Sequence, residues 1–513
     1  MSVNIKEAGK ENKPSRGRWW ALAALVVAGL VVGLDATVLL TALPTLSSKL
    51  GATTSELQWI VDAYTLALGG LLLPAGVLGD RFGRRRVLML GLLVFGAASV
   101  VASQVTSAMG LIIMRALMGA GSAVIAPLIL SILPSMFSEE ERPRAVGVAT
   151  AGVFLGFPLG PVVAGWLLTH FAWGSVFLIN APVVVIALLA VGLLVPESKD
   201  PSAPRLDWAG AVLVVVGVTS VVYAVIEEPA GGWTDARVLA GLVGGTSVLA
   251  IFVARELGTA SPLVDLRLFL NRRFTWSTVG FVVIGFAIFG VMFVLTPYLQ
   301  IVQGNDAQGT GVRALPLIAT LILGALVSDR LTARFGTKVM VSAGLLVTSG
   351  ALLLLSRASA DSGYGLVAAA LMVMGVGMGI AMPPAVDAIL GAVPPSQTGV
   401  GMGLQRSLQQ VAASLGVAIL GSILNSTYRG DLGGHLVGLP APARDGALGS
   451  VAGAAAVARH VPGPLAGPLL QASHDAYASG MAEVMLVSAG VLVAGALLIA
   501  LFLPARAAHA DRQ

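Results

Sequence analysis

Gly76-Val77-Leu78-Gly79-Asp80-Arg81-Phe82-Gly83-Arg84-Arg85-Arg86 is a dense block of charge between two long apolar runs. The block is short enough to be one tight turn, and Gly83 supplies the backbone freedom that such a turn needs. Asp80 can pair with a neighbouring arginine or cap a helix N-terminus. A plain basic loop would explain the arginines but not the Gly-x-x-Gly-Asp-Arg-x-Gly-Arg-Arg spacing. The flanking runs, 56–78 and 86–104, each approach the ~20 residues a helix needs to cross a bilayer. Two membrane helices joined by a basic turn are therefore expected.

The pattern repeats along the chain. Fourteen apolar segments are expected as spans, at 19–44, 56–78, 86–104, 108–130, 145–168, 174–195, 207–226, 238–254, 275–299, 311–331, 338–355, 364–390, 400–424 and 480–503. The runs are continuous rather than alternating, which predicts an all-α polytopic membrane protein and not a barrel. Composition agrees: the 513 residues are 56% hydrophobic and 11% charged, with mean hydropathy +0.88, whereas soluble domains are roughly 25% charged. No cleavable signal is expected, because 1–18 is polar and basic and the first run is too long for a signal core. The absence of cysteine excludes disulfides and thiolate metal sites. The five histidines do not cluster, no nucleotide-binding Gly-x-x-x-x-Gly-Lys-Ser/Thr or nucleic-acid motif occurs, and no cofactor is expected.

Charge sets the orientation. With the N-terminus in the cytoplasm, 22 of the 31 lysines and arginines fall in inner segments and 7 in outer ones, leaving Arg115 and Arg406 inside spans. Both termini are then cytoplasmic. The Ala/Gly/Pro-rich stretch 430–479 becomes an outer loop, expected from composition to be weakly ordered.

The chain also repeats itself. Met118-Gly-Ala-Gly-Ser-Ala-Val-Ile-Ala-Pro127 echoes Met374-Gly-Val-Gly-Met-Gly-Ile-Ala-Met-Pro383 at an offset of 256, and the same offset carries Gly147, Gly160 and Gly165 onto Gly403, Gly416 and Gly421. This predicts a cytoplasmic tail 1–18, a six-helix bundle over 19–195, two inserted helices over 207–254, a second six-helix bundle over 275–503 and a tail over 504–513. Repeated halves around a midplane cavity suit alternating access.

Four charges stand out within these spans. Asp35, in Val-Val-Gly-Leu-Asp35-Ala-Thr-Val-Leu-Leu-Thr-Ala-Leu-Pro44, lies mid-run. An acid there costs at least ~2.5–3.5 kcal/mol, so such residues usually carry function, and one that gains and loses a proton suggests proton coupling. Arg115 is a guanidinium inside a span and must find a partner, which a structural ion pair would supply. Asp62, flanked by Trp59 and Tyr64, suits an organic cation through charge and cation–π contact, or else marks an aromatic belt at the interface. Asp387 follows Pro383-Pro384 and is either a second protonatable site or a residue without a transport role. In span 5, Gly152, Gly156, Gly160, Pro161 and Gly165 place small residues four apart for close helix packing, with a bend at Pro161.

On these motifs the chain resembles the major facilitator superfamily, and within it the fourteen-span drug:proton antiporters. The loop Gly79, Asp80, Arg81, Gly83, Arg84, Arg85 is a hallmark of that superfamily and implies a latch between the halves; the copy Ser328-Asp329-Arg330-Leu-Thr-Ala-Arg334-Phe-Gly336-Thr-Lys338 is degenerate. The span 5 glycines resemble the antiporter motif of exporters, with Ala164 where Gly is more usual. Leu34-Asp35-Ala-Thr37 and Trp59-Ile-Val-Asp62-Ala-Tyr64 match spans 1 and 2 of quaternary-ammonium, multidrug and actinomycete antibiotic exporters. The resemblance implies that Asp35 and Arg115 serve proton coupling. The candidate substrate contacts of this chain are Asp62, Trp59, Tyr64, Phe154, Phe157, Asp387, Gln405 and Arg406.

Span 13 departs from this pattern. Gly403-Leu-Gln405-Arg406-Ser-Leu-Gln409-Gln410 carries glutamines and a base where quaternary-ammonium exporters carry acids. This favours a neutral, monocationic or hydrogen-bonding substrate, with Arg406 alternatively pairing an acid such as Asp387. The expectation is a monomeric, proton-coupled drug exporter in a bacterial plasma membrane, with lipid, protons and a small molecule as its partners. Its rival is export of an endogenous metabolite, siderophore or lipid. An intramembrane enzyme would need a His/Asp/Glu or Cys cluster, and the span 5 motif disfavours an importer.

Overall fold

The computed structural model describes residues 17–138, 140–199, 207–259, 263–264, 266–393, 398–436 and 438–504. The two expected tails fall almost wholly outside these residues. Phe154 and Phe157 ride on a helix, but their side chains also lie outside the described residues.

The chain is helical, with no strand among the described residues. It begins with α1 (Arg18–Leu50), α2 (Thr54–Phe82), α3 (Arg84–Ala102), α4 (Ala108–Ile132), α5 (Arg142–His170), α6 (Ser175–Leu178) and α7 (Asn180–Leu194). Two helices follow, α8 (Trp208–Gly231) and α9 (Ala236–Gly258). Then come α10 (Arg272–Pro297), α11 (Ala307–Arg313), α12 (Leu315–Phe335), α13 (Thr337–Leu355), α14 (Tyr364–Leu390) and α15 (Thr398–Gly433). The chain closes with α16 (Ala441–Gly449), α17 (Val451–Ala458) and α18 (Gly463–Phe502). Among the described residues, 13 helices are long and apolar enough to cross a membrane. α5 carries the remaining expected run, and its described apolar part is Leu159–His170.

Local chemistry sets the helix ends. α1 stops at Gly51, which takes a left-handed φ of 66°. Thr53 then opens α2 with a reciprocal capping box to Glu56, which satisfies two of the backbone donors that a helix start leaves bare. Gly83 turns α2 into α3 at φ 108°, and Gly336 turns α12 into α13 at φ 83°. The degenerate copy of the charged loop thus keeps the glycine conformation of the first.

The packing repeats as the sequence does. α1 lies along α5, α2 along α4 and α3 along α4; correspondingly α10 lies along α15, α12 along α14 and α13 along α14. The two sets meet along α2 and α15, between α5 and α11, and where α1 touches α10 and α17. α8 and α9 pair with each other, and α8 also packs on both α2 and α15. Val218, Val222 and Ile226 of α8 join Leu66 of α2 and Ala418 of α15 in one buried cluster. The helix expected as an insertion therefore covers the α2–α15 seam.

The stretch 430–479 differs from expectation. α15 runs to Gly433, α16 and α17 follow, and α18 begins at Gly463 rather than near 480. Alanine has the highest helix propensity of any residue, Pro440 and Pro462 sit at helix starts where their missing N–H costs nothing, and Ser450 caps α17 through Gly453 N. The stretch expected to be weakly ordered is mostly helical: two short helices and the first turns of α18.

Candidate functional site

Asp35 sits midway along α1, where α5, α7 and α4 all pack against that helix. It is 3% exposed and meets Arg115 of α4, which is 2% exposed, with Nη1 to Oδ2 at 2.6 Å. A buried pair of this kind holds only if further hydrogen bonds support it, and here several do. Arg115 Nε donates to Ile60 O at 3.3 Å. Its guanidinium carbon stands 4.2 Å from the centre of the Tyr64 ring, and Tyr64 Oη donates to Ser122 Oγ at 2.9 Å. On the other side, Asn180 Nδ2 reaches Asp35 Oδ1 at 3.5 Å and Ser99 Oγ at 3.0 Å. Ser99 Oγ in turn donates to Phe177 O at 2.8 Å. The result is a continuous buried polar network spanning α1, α2, α3, α4 and α7.

The span 5 glycines make this closeness possible. A Cβ on Gly156 would stand 2.5 Å from Leu34 N and 2.7 Å from Gly33 Cα, and one on Gly160 would overlap Thr37 Oγ1. These two glycines bring α5 onto α1 on both sides of Asp35. Gly152 sits against Val26, while Gly165 crosses to Ala307 and Gln308 of α11, and Pro161 O meets Gly311. The same motif therefore seats the acid and joins α5 to the second set of helices.

Trp59, Asp62 and Tyr64 do not form one cage. Tyr64 faces Arg115, the Trp59 ring lies 6.2 Å from the Tyr223 ring of α8, and Asp62 faces α15. Asp62 is 0% exposed. Its polar neighbours are the Ser414 and Thr65 hydroxyls, yet neither carboxylate oxygen has a hydrogen-bond partner among the described residues. One turn away, Gln58 Nε2 donates to Val417 O at 3.1 Å and Ala418 O at 2.8 Å. α15 adds further buried groups without partners among the described residues: Gln405 Nε2, Ser407 Oγ, Gln409 Oε1 and Ser414 Oγ. Gln409 packs against Gly285 of α10, and Gln410 against Gly69 of α2. Asp387 is exposed, with Asp329 and Arg273 as charged neighbours; Arg406 is half-buried next to Gln405.

The charged loop is tied down within its own set of helices. Asp80 Oδ1 takes Arg84 Nε at 2.8 Å, and Arg84 Nη1 donates to Ser131 O at 2.8 Å. Glu197, just past α7, accepts from Arg85 N at 3.1 Å and lies 3.6 Å from Arg86 Nε. The same carboxylate would collide with a Cβ on Gly83, so this glycine is required by contact as well as by φ. Arg81 lies over Phe82, and Gly79 meets Leu128.

At the end of the molecule away from this loop, the two sets are strapped together. Gln300 Nε2 donates to Thr41 O at 2.8 Å, Ser47 Oγ meets Ser450 Oγ at 2.9 Å, and Thr54 Oγ1 donates to Gly449 O at 3.1 Å. The turn between α16 and α17 thereby covers that end. No group of three His, Cys, Asp or Glu that could hold a metal ion occurs among the described residues.

Glu197, Asn180, Ser99 and Gln58 were not singled out from sequence. Asn180 carried a signal, as the one amide in an otherwise apolar span.

Known proteins match this arrangement. The tetracenomycin C resistance and export protein of Streptomyces glaucescens is 34% identical over 95% of this chain and 92% of its own length. The multidrug efflux pump LfrA of Mycolicibacterium smegmatis is 31% identical over 97% and 99%, and the puromycin resistance protein pur8 of Streptomyces alboniger 34% over 82% and 85%. Among solved structures, a bacterial homolog of the human lysosomal transporter Spinster, inward-facing and unoccupied, aligns with a TM-score of 0.65 at 17% identity, covering 97% of this chain and all of that one. A D-xylose-proton symporter aligns at 0.62 and 13%, covering 95% and 98%; both show the fold alone. Residues 25–417 match the Major Facilitator Superfamily, and the chain belongs to that family of membrane transporters.

Proposed function

We propose that this chain is a proton-coupled exporter of antibiotics and related amphiphiles across a bacterial plasma membrane, with both termini in the cytoplasm. The two repeated sets of helices act as rocking halves, and α8 and α9 brace their seam. The observation that carries the proposal is the Asp35–Arg115 pair, 2.6 Å apart and buried, in a chain whose relatives include resistance exporters. Protonation of Asp35 from the outside cancels the charge that holds Arg115, and deprotonation inside restores it. One proton crossing the membrane contributes ~2.3 kcal/mol per 100 mV.

The substrate is neutral or monocationic and forms hydrogen bonds. Gln405, Ser407, Gln409 and Ser414 present buried polar atoms without partners among the described residues, and such groups gain most from a ligand that can pair with them. The 405–410 segment of α15 holds no acid to pair with a second positive charge.

The test is a pH gradient across proteoliposomes loaded with puromycin, tetracenomycin C or methyl viologen. Wild type is expected to move the first two against their gradients, and Asp35→Asn to lose that drive. Full gradient-driven transport by Asp35→Asn would refute the proton role.

A further inference from the structure

Asp35 has two oxygens in different settings. Oδ2 is held by Arg115 at 2.6 Å. Oδ1 is approached by Asn180 Nδ2 at the looser distance of 3.5 Å. Asn180 is 2% exposed and opens α7 directly after the break that follows α6. Ser99, fully buried, commits its proton to Phe177 O. Its oxygen is then left as an acceptor, which orients the Asn180 amide with its nitrogen toward both Ser99 and Asp35.

We propose that Asn180 is a positioning residue for Asp35, serving its charged and its neutral form in turn. This rests on the reading of Asp35 as the proton site and names the residue that regulates it. The argument is one of donor and acceptor inventory. A carboxylate needs donors, and a carboxylic acid also needs an acceptor for its own proton. Arg115 offers donors only. Tyr64 points its hydroxyl at Ser122. Among the described residues, the titratable or charged groups facing Asp35 are Arg115 from α4 and Tyr64 from α2. α5 presents Gly156 and Gly160, and α7 presents Asn180.

Asn180 is the side chain that reaches Oδ1, and its amide carries both capacities. With Asp35 charged, Nδ2 donates to Oδ1. When a proton adds to Oδ1, the carboxyl becomes neutral and Arg115 keeps its charge. A half-turn of the amide then brings the Asn180 carbonyl oxygen to accept the new O–H. Ser99 follows by rotating its hydroxyl from Phe177 O to the amide. The same half-turn alters the hydrogen bond that pins the α6–α7 break, so the protonation state of α1 is relayed to α7.

Two measurements test this on the full-length transporter in proteoliposomes. The first is the pH profile of gradient-driven transport. Asn180→Leu removes the stronger hydrogen bond to the charged form together with the weaker one to the neutral form, and its pH midpoint is expected to rise by about one unit, the difference between the two. Asn180→Asp, nearly the same shape, is expected to shift it in the same direction through like charge. Ser99→Ala frees the amide and is expected to give a smaller shift.

The second is infrared difference spectroscopy. The carboxylic C=O band of Asp35, assigned by its loss in Asp35→Asn, is expected to move to higher frequency in Asn180→Leu as its acceptor goes. A uniform fall in rate with midpoint and band unchanged, while Asp35→Asn is inactive, overturns the role of Asn180 and leaves the proton reading standing. Gradient-driven transport by Asp35→Asn overturns both. If Asn180→Leu does not fold, Asn180→Asp and Ser99→Ala decide by the same two readouts.

Discussion

Breaking the Asp35–Arg115 pair from one side and then from both gives a direct measure of what holds α1 to α4. Arg115→Ala leaves Asp35, 3% exposed, facing a hole where its counter-ion stood. Removing one partner of a buried pair costs about 3–5 kcal/mol, mostly through the orphaned charge. The lost contact with the Tyr64 face, 4.2 Å from the guanidinium, contributes up to about 2 kcal/mol of that kind of loss. Asp35→Asn orphans the arginine but keeps an acceptor, so about 3 kcal/mol is expected. Replacing both, as Asp35→Leu with Arg115→Met, removes the charges together, and such swaps are often neutral or stabilising. The coupling between the sites should then reach several kcal/mol, against the few tenths expected for independent positions. Thermal unfolding in detergent, followed by the fluorescence of the eight tryptophans, reads this as an order of melting points. Wild type and the double variant lie together, and each single variant lies on the order of 3–5 °C below, since the unfolding entropy of a chain this long is large. A double variant that melts below both singles would refute the reasoning, since the two losses would then add instead of cancelling.

Other predictions follow from particular contacts. Gly156→Val puts a Cβ 2.5 Å from Leu34 N; overpacking of this kind costs about 1–3 kcal/mol, so a lower melting point and lost transport are expected, with Gly156→Ala intermediate, and wild-type transport by the valine variant would count against close α1–α5 packing around Asp35. The chain has no cysteine, so Ser47→Cys with Ser450→Cys, whose oxygens stand 2.9 Å apart, should cross-link on oxidation; transport should stop and return with dithiothreitol, and transport by the fully cross-linked protein would show that this contact need not open. Arg406→Ala should raise transport of methyl viologen relative to puromycin in side-by-side uptake assays, and unchanged selectivity would remove Arg406 from substrate choice.

Much of the fold was legible because membrane spans are written in single runs. Each of the 13 apolar helices corresponds to a continuous segment, and the repeat at offset 256 reappears as repeated pairings of helices. The site was legible by parts. Asp35 and Arg115 each stood out as a charge in lipid, but nothing local says that residues 80 apart are partners. Tyr64 and Asp62 looked like neighbours in sequence, yet positions two apart on a helix point to different sides. One therefore serves Arg115 and the other faces α15. Asn180 is visible as a lone amide in its span, but a neutral side chain there carries no cost that points to its partner. The 430–479 stretch was misjudged for the opposite reason, since its alanines were taken as low complexity when they are also strong helix formers.

On the proposed function, α2 joins the two chemistries that must be coupled. On one side Ile60 O and the Tyr64 ring hold Arg115. On another, Gln58 and Asp62 meet α15 within a turn of the same residues. On a third, Leu66 and Trp59 meet α8. A helix packed on three faces cannot relieve one contact by bending alone, because close-packed interiors are stiff and switch between arrangements instead of deforming smoothly. If the hold of Arg115 on Ile60 O changes when Asp35 changes charge, the displacement has to appear at Gln58 and Asp62. Those residues lie on the α2–α15 seam, which the proposed rocking of the halves would open. On the proposed function, a proton site at Asp35 would sit inside one half, out of reach of the cargo, and still act on the passage between the halves. The intermediary is one rigid helix, and no long chain of side chains is needed.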